Sequence, residues 1–238
     1  MLSIVVPTYK EALNLRPLVE SIDEVMSREG IIWDLIIADD NSPDDTLDVA
    51  ESLAREYPVR VLRPVGRDRD LSLSVLDGIG AAKFDNVVVM DADLSHPPER
   101  IPEMLAYLTD DPTAFVVGSR YVEGGSFDRD WSFWRFLNSY LATLLARPLV
   151  RCSDPMSGFF ALNRNALGDS GVFNPLGYKI GLELMVRGDF SGVREVPIQF
   201  RDRELGSSKM DISQQLKYMR HLRRLYLHRF GSLARFVH

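Results

Sequence analysis

Short runs of apolar, β-branched residues alternate with longer amphipathic segments over the first 120 residues of the chain. The runs are predicted strands, and they cover residues 2–6, 35–39, 59–62, 86–90 and 114–118. The segments between them are predicted helices, at residues 13–28, 44–56, 73–83 and 99–109. Runs such as NVVVMD are apolar on both faces, which is typical of parallel strands covered by helices on each side. The alternation therefore predicts an α/β fold with a mostly parallel sheet.

The pattern changes after residue 120. It predicts an aromatic-rich helix at 131–150, a turn-rich segment at 154–167 and a helix at 177–188. A predicted strand at 193–200, a polar loop at 201–209 and a terminal helix at 211–229 follow. No linker rich in Pro, Gly or Ser separates this part from the first. We therefore expect one domain over residues 1–210, followed by a basic amphipathic C-terminal helix over residues 211–238.

The composition is that of an ordinary globular protein, with 45% hydrophobic and 26% charged residues among 238. The single cysteine, Cys152, excludes an internal disulfide and favours a reducing compartment. The N-terminal apolar run is short and follows no basic residues, so it predicts a strand and not a signal peptide. No run reaches the roughly 18–20 apolar residues of a membrane-spanning helix. We therefore expect a cytoplasmic protein without its own transmembrane segment.

The net charge of −6 is distributed unevenly along the chain. Residues 201–238 contain nine Lys and Arg against three Asp and Glu, so the tail carries about +6 and the preceding 200 residues about −12. Apolar residues recur every three or four positions in the terminal helix, and Trp131, Phe133, Trp134 and Phe136 crowd beside Arg135. Each pattern indicates either contact with a membrane surface or ordinary core packing. Nucleic acid is disfavoured as a partner, because the basic residues are confined to one helix of an acidic protein.

Three polar motifs follow predicted strands, and they are Pro7-Thr8-Tyr9, Asp39-Asp40 and Asp91-Ala92-Asp93. Ligands of open parallel sheets bind beyond the carboxyl ends of the strands, so we expect the three motifs on one rim. Asp91 and Asp93 can both reach one hard cation, Mg²⁺ or Mn²⁺, that bridges to a diphosphate. Ser95 and His96 follow, and either can complete the shell directly or through water. The alternative for this motif is a solvated acidic turn.

Other polar residues also point to nucleotide and phosphate. Asp40 can accept hydrogen bonds from a nucleobase or ribose, although the cap of the next helix explains it as well. Arg120 lies at the end of the fifth predicted strand and can bind phosphate with two N–H groups; the alternative is a surface arginine. Arg203 and Lys209 bracket LGSS and suit a flap that closes over phosphate. The alternative for that segment is a solvated loop.

Seven segments of the chain together resemble one enzyme family. They are VVPTYKEALNL, ADDNSPDDT, VVMDADLSHPPE, GSRYVEGG, DPMSGFF, GYKIGLEL and EVPIQFRDRELGSSKM. In this order they resemble the dolichol-phosphate mannosyltransferases, which are family 2 glycosyltransferases of the GT-A fold, a Rossmann-like sheet flanked by helices. The resemblance covers residues 2–215, and DADLSHPP and the GSSK loop are its most specific motifs. The chain departs from it at DLSLSV (70–75), where many relatives have GLGxA, and at Ser95, where some have Gln.

The resemblance implies roles for individual residues. It implies a nucleotide site formed by Pro7, Tyr9, Glu11, Ala38, Asp40 and the Asp91-Ala92-Asp93 motif. It implies a divalent metal held by Asp91, Asp93 and the Ser95 side chain. It implies that the diphosphate or the acceptor phosphate is bound by Arg120, Arg135, Ser139, Lys179, Arg203 and Lys209. The catalytic residues expected from this set are Asp93, Arg120, Lys179 and Arg203.

The implied reaction is an inverting transfer of mannose from GDP-mannose to a polyprenyl phosphate at the cytoplasmic face of a membrane. The protein would dock there through amphipathic interfacial helices, reversibly or through a membrane-anchored protein partner. A phosphate monoester is largely a dianion at pH 7, so no strong base is required, and Asp154 is at most an orienting residue. Three alternatives stay open: a UDP-glucose-dependent glucosyltransferase, a non-catalytic nucleotide-sugar binder and a signalling receiver domain.

Overall fold

The computed structural model describes residues 1–64, 69–127, 141–168, 173, 179–200 and 212–231. The strands in these ranges are β1 (Leu2–Thr8), β2 (Trp33–Asp39), β3 (Val59–Leu62), β4 (Asn86–Val89), β5 (Ala114–Ser119), β6 (Ser126–Phe127), β7 (Phe160–Asn163), β8 (Gly192–Pro197) and β9 (Gln199–Phe200). The α-helices are α1 (Ala12–Arg28), α2 (Thr46–Glu56), α3 (Leu71–Gly80), α4 (Ile101–Asp110), α5 (141–146), α6 (Ile180–Arg187) and α7 (Ile212–Phe230). Short 3₁₀ turns cover Pro98–Arg100 and Arg164–Leu167.

Seven strands form one sheet in the order β3-β2-β1-β4-β7-β5-β8, and β7 alone runs antiparallel to its neighbours. The expected α/β fold with a mostly parallel sheet is therefore confirmed. The antiparallel strand was not predicted, since residues 154–167 were interpreted as turns. β7 has only four residues between turn-forming segments, which is too short to show a period. It nevertheless buries Phe160, Ala161 and Leu162 between β4 and β5.

Several predicted elements differ from the structure at their ends. The predicted strand at 193–200 is two strands, because β8 stays in the large sheet while β9 pairs with β6 in a separate parallel ribbon. α2 begins at Thr46 because the Asp44 carboxylate accepts hydrogen bonds from Thr46 ahead of the helix. α3 begins at Leu71 because Asp70 caps its first turn, accepting from the N–H groups of Ser72 and Leu73.

Helices cover both faces of the sheet. On one face, residues of α1, α2 and α4 pack with Ile4 and Val6 of β1. On the other face, residues of α3, α5, α6 and α7 pack with Val5. This division follows the alternation of side chains along a strand, and burying each large aliphatic side chain contributes about 1.5–3 kcal/mol. Within the described ranges, no helix is both long and apolar enough to cross a lipid bilayer.

α3 approaches β1 closely at one glycine. A Cβ added to Gly78 would lie 2.4 Å from Cγ1 of Val5, a fully buried side chain on a central strand. A β-branched side chain such as Val5 has little freedom to rotate away. The packing distance between α3 and the sheet therefore depends on the missing side chain at position 78.

We expect Gly78→Ala to lower the free energy of unfolding by about 1–3 kcal/mol, because the new methyl overlaps Val5. Gly80→Ala is a matched control in the same helix, since its added Cβ meets nothing within 4 Å. The control should leave stability unchanged or raise it by up to about 1 kcal/mol. Chemical denaturation measures both changes, and equal stability of the two variants would contradict the predicted overlap.

Candidate active site

The carboxyl ends of β1, β2 and β4 lie side by side at one edge of the sheet. β1 pairs in parallel with β2 on one side and with β4 on the other, and Thr8 is opposite Asp39. The chain continues from these ends into Tyr9, Asp40 and Asp91. The three motifs expected on one rim are therefore brought together, at the point where strand order reverses.

The two carboxylates after β2 are both buried, and both hold the rim in place. Asp39 is fully buried and accepts hydrogen bonds from the Thr8 hydroxyl at 3.2 Å and from the Ser42 hydroxyl at 2.5 Å. Asp40 is 4% exposed, and its Oδ1 accepts from the Asp70 N–H at 3.2 Å and from the Ser74 hydroxyl at 3.3 Å. Asp40 thus ties the rim to the start of α3.

The loop after β1 presents an aromatic ring covered by a cation. The Arg69 guanidinium lies 3.6 Å from the centroid of the Tyr9 ring, a cation–π distance. No role for Arg69 was predicted from the sequence. Its only distinguishing feature there is its position in a run of alternating charges just before α3. The Glu11 carboxylate accepts from Asn14 at 2.7 Å, and the Glu11 N–H donates to Thr46. Pro7 and Ala38 face each other as register partners between β1 and β2.

The acidic motif after β4 forms a tight turn. The Asp91 side chain is 38% exposed, whereas Ala92 and Asp93 are buried. Asp93 Oδ1 accepts from the Ser95 hydroxyl at 2.6 Å and from the Ser95 N–H at 3.2 Å. The Ser95 hydroxyl is therefore directed at a carboxylate of the motif. Leu94 has φ +62°, a left-handed conformation that turns the chain back on itself.

The His96 side chain packs against this turn and forms a hydrogen bond with its backbone. It is 2% exposed, and its Nδ1 accepts the backbone N–H of Asp91 at 3.0 Å. The imidazole stacks on Phe159 with ring centroids 5.2 Å apart. Burial lowers the pKa of His96, although the negative charges of Asp91 and Asp93 oppose that shift. At neutral pH the ring is therefore uncharged, and Nδ1 is occupied by the backbone.

The donor set of the turn suits a hard divalent cation. Asp91 and Asp93 supply two carboxylates, and the described residues contain no group of three or more His, Cys, Asp or Glu close enough to enclose a metal. Mg²⁺ and Mn²⁺ prefer oxygen ligands, and Mg²⁺ commonly keeps waters and substrate phosphates in its shell. Asp91 lines the crevice, and Asp93 lies two residues further along the same turn. This pair fits a cation that arrives with a diphosphate.

Arg120 and Asp154 form a buried ion pair behind the motif. Nε and one Nη of Arg120 donate to the two carboxylate oxygens of Asp154 at 2.7 and 2.8 Å, and the Arg120 N–H donates at 3.1 Å. Burial disfavours the charge of Arg120, but the hydrogen bond and charge of Asp154 outweigh it and raise the pKa. Glu195 accepts from the backbone N–H of Asp154 at 3.3 Å. Asp154 therefore orients Arg120 and is not placed to act as a base.

Lys179 precedes α6 and lines a pocket with Asp91. Other residues of this pocket include Pro7, Ser157, Gly158 and Gly181. The Lys179 ammonium donates to the Met156 carbonyl at 3.1 Å. Burial, together with the positive charge of Arg120, lowers the pKa of Lys179 to about 8, while Asp154 and Asp91 oppose the shift. The pocket thus combines the partly exposed Asp91 carboxylate with an amine whose pKa is about 8.

Four of the predicted phosphate-binding residues lie outside the described ranges, and they are Arg135, Ser139, Arg203 and Lys209. The aromatic cluster at 131–136 and the polar loop at 201–209 lie outside them as well. The predicted helix at 131–150 is described only from residue 141, and there it is helical to residue 146.

Comparison with known proteins gives the class to which this parallel sheet with an acidic rim belongs. The chain belongs to glycosyl transferase family 2, whose model matches residues 3–171. The expectation of a glycosyltransferase is thereby confirmed, and a receiver domain is excluded.

Among curated proteins, the chain is similar to enzymes named dolichol-phosphate mannosyltransferase. It is 40% identical to the one from Pyrococcus furiosus over 228 residues, which is 94% of this chain and 63% of the relative. It is 39% identical to the one from Saccharomyces cerevisiae over 239 aligned positions, which cover 97% of this chain and 88% of the relative. The chain thus spans less than two thirds of the Pyrococcus relative but most of the yeast one.

Solved structures with a similar fold include two phosphoglycerate-glycoside synthases. Glucosyl-3-phosphoglycerate synthase from Mycobacterium tuberculosis, in complex with Mn²⁺, UDP and glucosyl-3-phosphoglycerate, matches with a TM-score of 0.67 at 22% identity, over 97% of this chain and 80% of that one. Mannosyl-3-phosphoglycerate synthase from Rubrobacter xylanophilus matches with a TM-score of 0.71 at 17% identity, over 99% and 75%. At these identities the likeness establishes the fold, and the GT-A expectation is confirmed.

We expect the affinity for GDP to fall about tenfold as the pH rises through about 8, because Lys179 loses the charge of a charge-assisted hydrogen bond. The phosphates of GDP stay ionised throughout this range, so they contribute no titration of their own. Calorimetric titration between about pH 7 and 9.5 measures the change. Lys179→Arg should flatten the profile, since a guanidinium stays protonated. A wild-type affinity that does not vary with pH would contradict a phosphate contact at Lys179.

Proposed function

We propose that the protein transfers mannose from GDP-mannose to a polyprenyl phosphate, with inversion at the sugar and with the help of a divalent cation. The observation that carries the proposal is the exposed Asp91 carboxylate beside Lys179 in a crevice at the strand-order reversal. The family and the names of the curated relatives support mannose as the sugar and a polyprenyl phosphate as the acceptor. The reaction occurs at the cytoplasmic face of a membrane.

The donor nucleotide occupies the crevice at the carboxyl ends of β1, β2 and β4. Its proposed contacts are Pro7, Tyr9, Glu11, Ala38, Asp40 and Ala92. Asp40 is fixed by the Asp70 N–H and the Ser74 hydroxyl, so its carboxylate is held in one orientation before the nucleotide arrives. Such prior positioning reduces the entropy that binding must overcome.

The cation site is proposed at Asp91 and Asp93, with the Ser95 side chain beside them. These residues would hold Mg²⁺ or Mn²⁺, whose charge would offset the negative charge that develops on the departing diphosphate. Ser95 donates its hydroxyl hydrogen to Asp93. Direct binding of the metal by Ser95 would therefore use the lone pairs of its oxygen. Asp93 is therefore held by Ser95 whether or not Ser95 contacts the metal.

Positive side chains stabilise the same departing charge and hold the acceptor. The proposed groups are Arg120, Arg135, Ser139, Lys179, Arg203 and Lys209. An oxygen of the lipid phosphate attacks C1 of mannose, and the bond from C1 to the diphosphate breaks with its electron pair leaving on GDP. The attacking phosphate is already a dianion at pH 7 and needs no base. Catalysis is then mainly electrostatic, through cations fixed before the reaction begins.

The outward face of α7 supports a membrane surface as the place of reaction. Leu222 and Leu225 point into the core, and the hydroxyl of Tyr218 anchors the helix to the Ala142 carbonyl at 2.7 Å. The opposite face, at helical spacing, still exposes large apolar and basic side chains, namely Leu216, Met219, Arg220, Arg223, Leu227 and Phe230. Leu141, Leu144 and Leu145 of α5 are exposed as well.

No acidic residue occurs between positions 212 and 231, so the exposed face of α7 attracts anionic lipid while its apolar side chains enter the interface. A membrane-anchored protein partner is the other form of attachment that such a face permits. Because α7 packs on the body of the protein, we treat the division at residue 210 as a boundary of function and not of folding.

Transfer of radiolabelled mannose from GDP-mannose to a polyprenyl phosphate in detergent tests the function, with Mn²⁺ and with a chelator. We expect transfer only with the metal, and Asp91→Asn should reduce it by about 10²-fold or more, because a metal ligand is lost. Asp110→Asn, an exposed acid at the end of α4, is the control and should keep full activity.

UDP-glucose serves as the competing donor in the same assay. Transfer of glucose but not mannose would replace the proposed donor. Binding of a nucleotide sugar without any transfer would identify a non-catalytic binder.

Flotation with vesicles of phosphatidylcholine and phosphatidylserine tests membrane docking. Leu216→Glu and Leu227→Glu should each weaken binding about tenfold or more, since the apolar transfer energy of a leucine is lost. Leu13→Glu is the matched control, because Leu13 is 75% exposed on α1 and the change in charge is the same. An equal loss in all three variants would indicate a nonspecific charge effect, and no binding by the wild type would favour a protein partner.

A further inference from the structure

The backbone N–H of Asp91 is the first donor beyond the end of the parallel ladder. β4 ends at Val89, and the N–H of Met90 still donates to the Val5 carbonyl at 3.1 Å. The next N–H, that of Asp91, turns away from the sheet and donates to Nδ1 of His96 at 3.0 Å. A buried donor without an acceptor costs about 1–3 kcal/mol. His96 therefore satisfies the backbone group at which the strand changes into the acidic turn.

This hydrogen bond also defines the state of the imidazole. A backbone N–H is always a donor, so Nδ1 must be the acceptor and the ring proton resides on Nε2. Nε2 lies 3.9 Å from Oδ2 of Asp91, on the side of its carboxylate. The ring thus borders Asp91 at two points, the main-chain nitrogen and the carboxylate.

The imidazole itself is held firmly. Phe159 stacks on it nearly in parallel, with an angle of 12° between the rings, and Phe200 meets its edge at 5.7 Å. Phe200 lies also 5.3 Å from the Arg120 guanidinium. On the other side, a Cβ added to Gly158 would lie 3.4 Å from both Asp91 Oδ1 and His96 Cε1. Gly158 therefore lies against both the imidazole and the Asp91 carboxylate, and a side chain at this position would crowd them.

We propose that His96 is a positioning residue, which holds Asp91 through its backbone N–H so that the carboxylate is presented to the cation. The proposal rests on the metal site of the proposed function and assigns His96 no contact with substrate or metal. Residues that orient metal ligands typically affect metal affinity by about 10–100-fold when they are replaced. The effect of His96 should therefore appear in metal binding itself, before any chemistry.

The test is a titration of the purified protein with Mn²⁺ alone, followed by the electron paramagnetic resonance signal of free Mn²⁺. His96→Asn and His96→Leu form a matched pair of nearly equal size, and both lose the stacked ring. Only the asparagine offers a carbonyl oxygen near the position of Nδ1. We expect His96→Asn to bind Mn²⁺ within about threefold of wild type and His96→Leu at least about tenfold more weakly.

Melting temperatures of the two variants provide the structural control. Both variants lose the packing of the ring on Phe159, so both melting temperatures should fall. Only the Mn²⁺ affinity distinguishes a positioning role from a packing role. Equal Mn²⁺ affinity in the two variants, whether strong or weak, would overturn the proposal. If the leucine variant does not fold, His96→Gln replaces it, because its amide reaches the place of Nε2 and not that of Nδ1.

The two proposals fail in different ways. A wild type that binds Mn²⁺ but transfers no sugar refutes the proposed function, while the ranking of the variants still decides the role of His96. A wild type that transfers mannose while both variants bind Mn²⁺ equally refutes only the role of His96. A wild type that does not bind Mn²⁺ on its own refutes the role of His96, while the mannose-transfer assay still decides the proposed function.

Discussion

The rest of the structure depends on the position of β1 at the centre of the sheet. All seven of its residues are buried, and it is hydrogen-bonded to β2 on one side and to β4 on the other. The chain leaves β1, β2 and β4 at the same edge, and the strand order reverses between β1 and β4. Ligand crevices of open α/β sheets lie at such a reversal. Every described residue proposed to bind donor or metal lies on a segment that starts from this edge or faces it.

Charges at this crevice are buried or nearly so, and they are stable there only because each has a partner. Asp39 is held by hydroxyl and backbone donors, and Asp154 neutralises Arg120 through two parallel hydrogen bonds. Removing either member of a buried pair leaves an uncompensated charge that costs several kcal/mol. The network therefore keeps its geometry without a ligand. Asp91 differs, because its side chain is more than one third exposed while its backbone is fixed.

The alternation of strands and helices could be predicted from the sequence, because the spacing of apolar residues differs between the two. The gathering of three motifs on one rim could also be predicted, because parallel strands end at the same edge of a sheet. The sequence did not predict β7, whose four residues show no period of their own and depend on β4 and β5 for burial. The sequence also did not identify Asp154 as the partner of Arg120. The two residues are 34 positions apart and meet only when β5 and the segment before β7 fold together. The stacking of Arg69 on Tyr9 is likewise a tertiary contact.

The proposed active site and the proposed membrane surface share one rigid element, α6. Lys179 precedes this helix at the crevice, and one turn later the fully buried Glu183 lies 2.5 Å from Nε2 of His221 on α7. Arg187 contacts the same carboxylate at 2.8 Å. Ionic and polar groups at this depth tolerate little displacement, because any lost contact leaves a desolvated carboxylate. The exposed face of α7 is thereby fixed relative to Lys179. Under the proposed function, the acceptor phosphate would therefore approach the crevice from a defined direction.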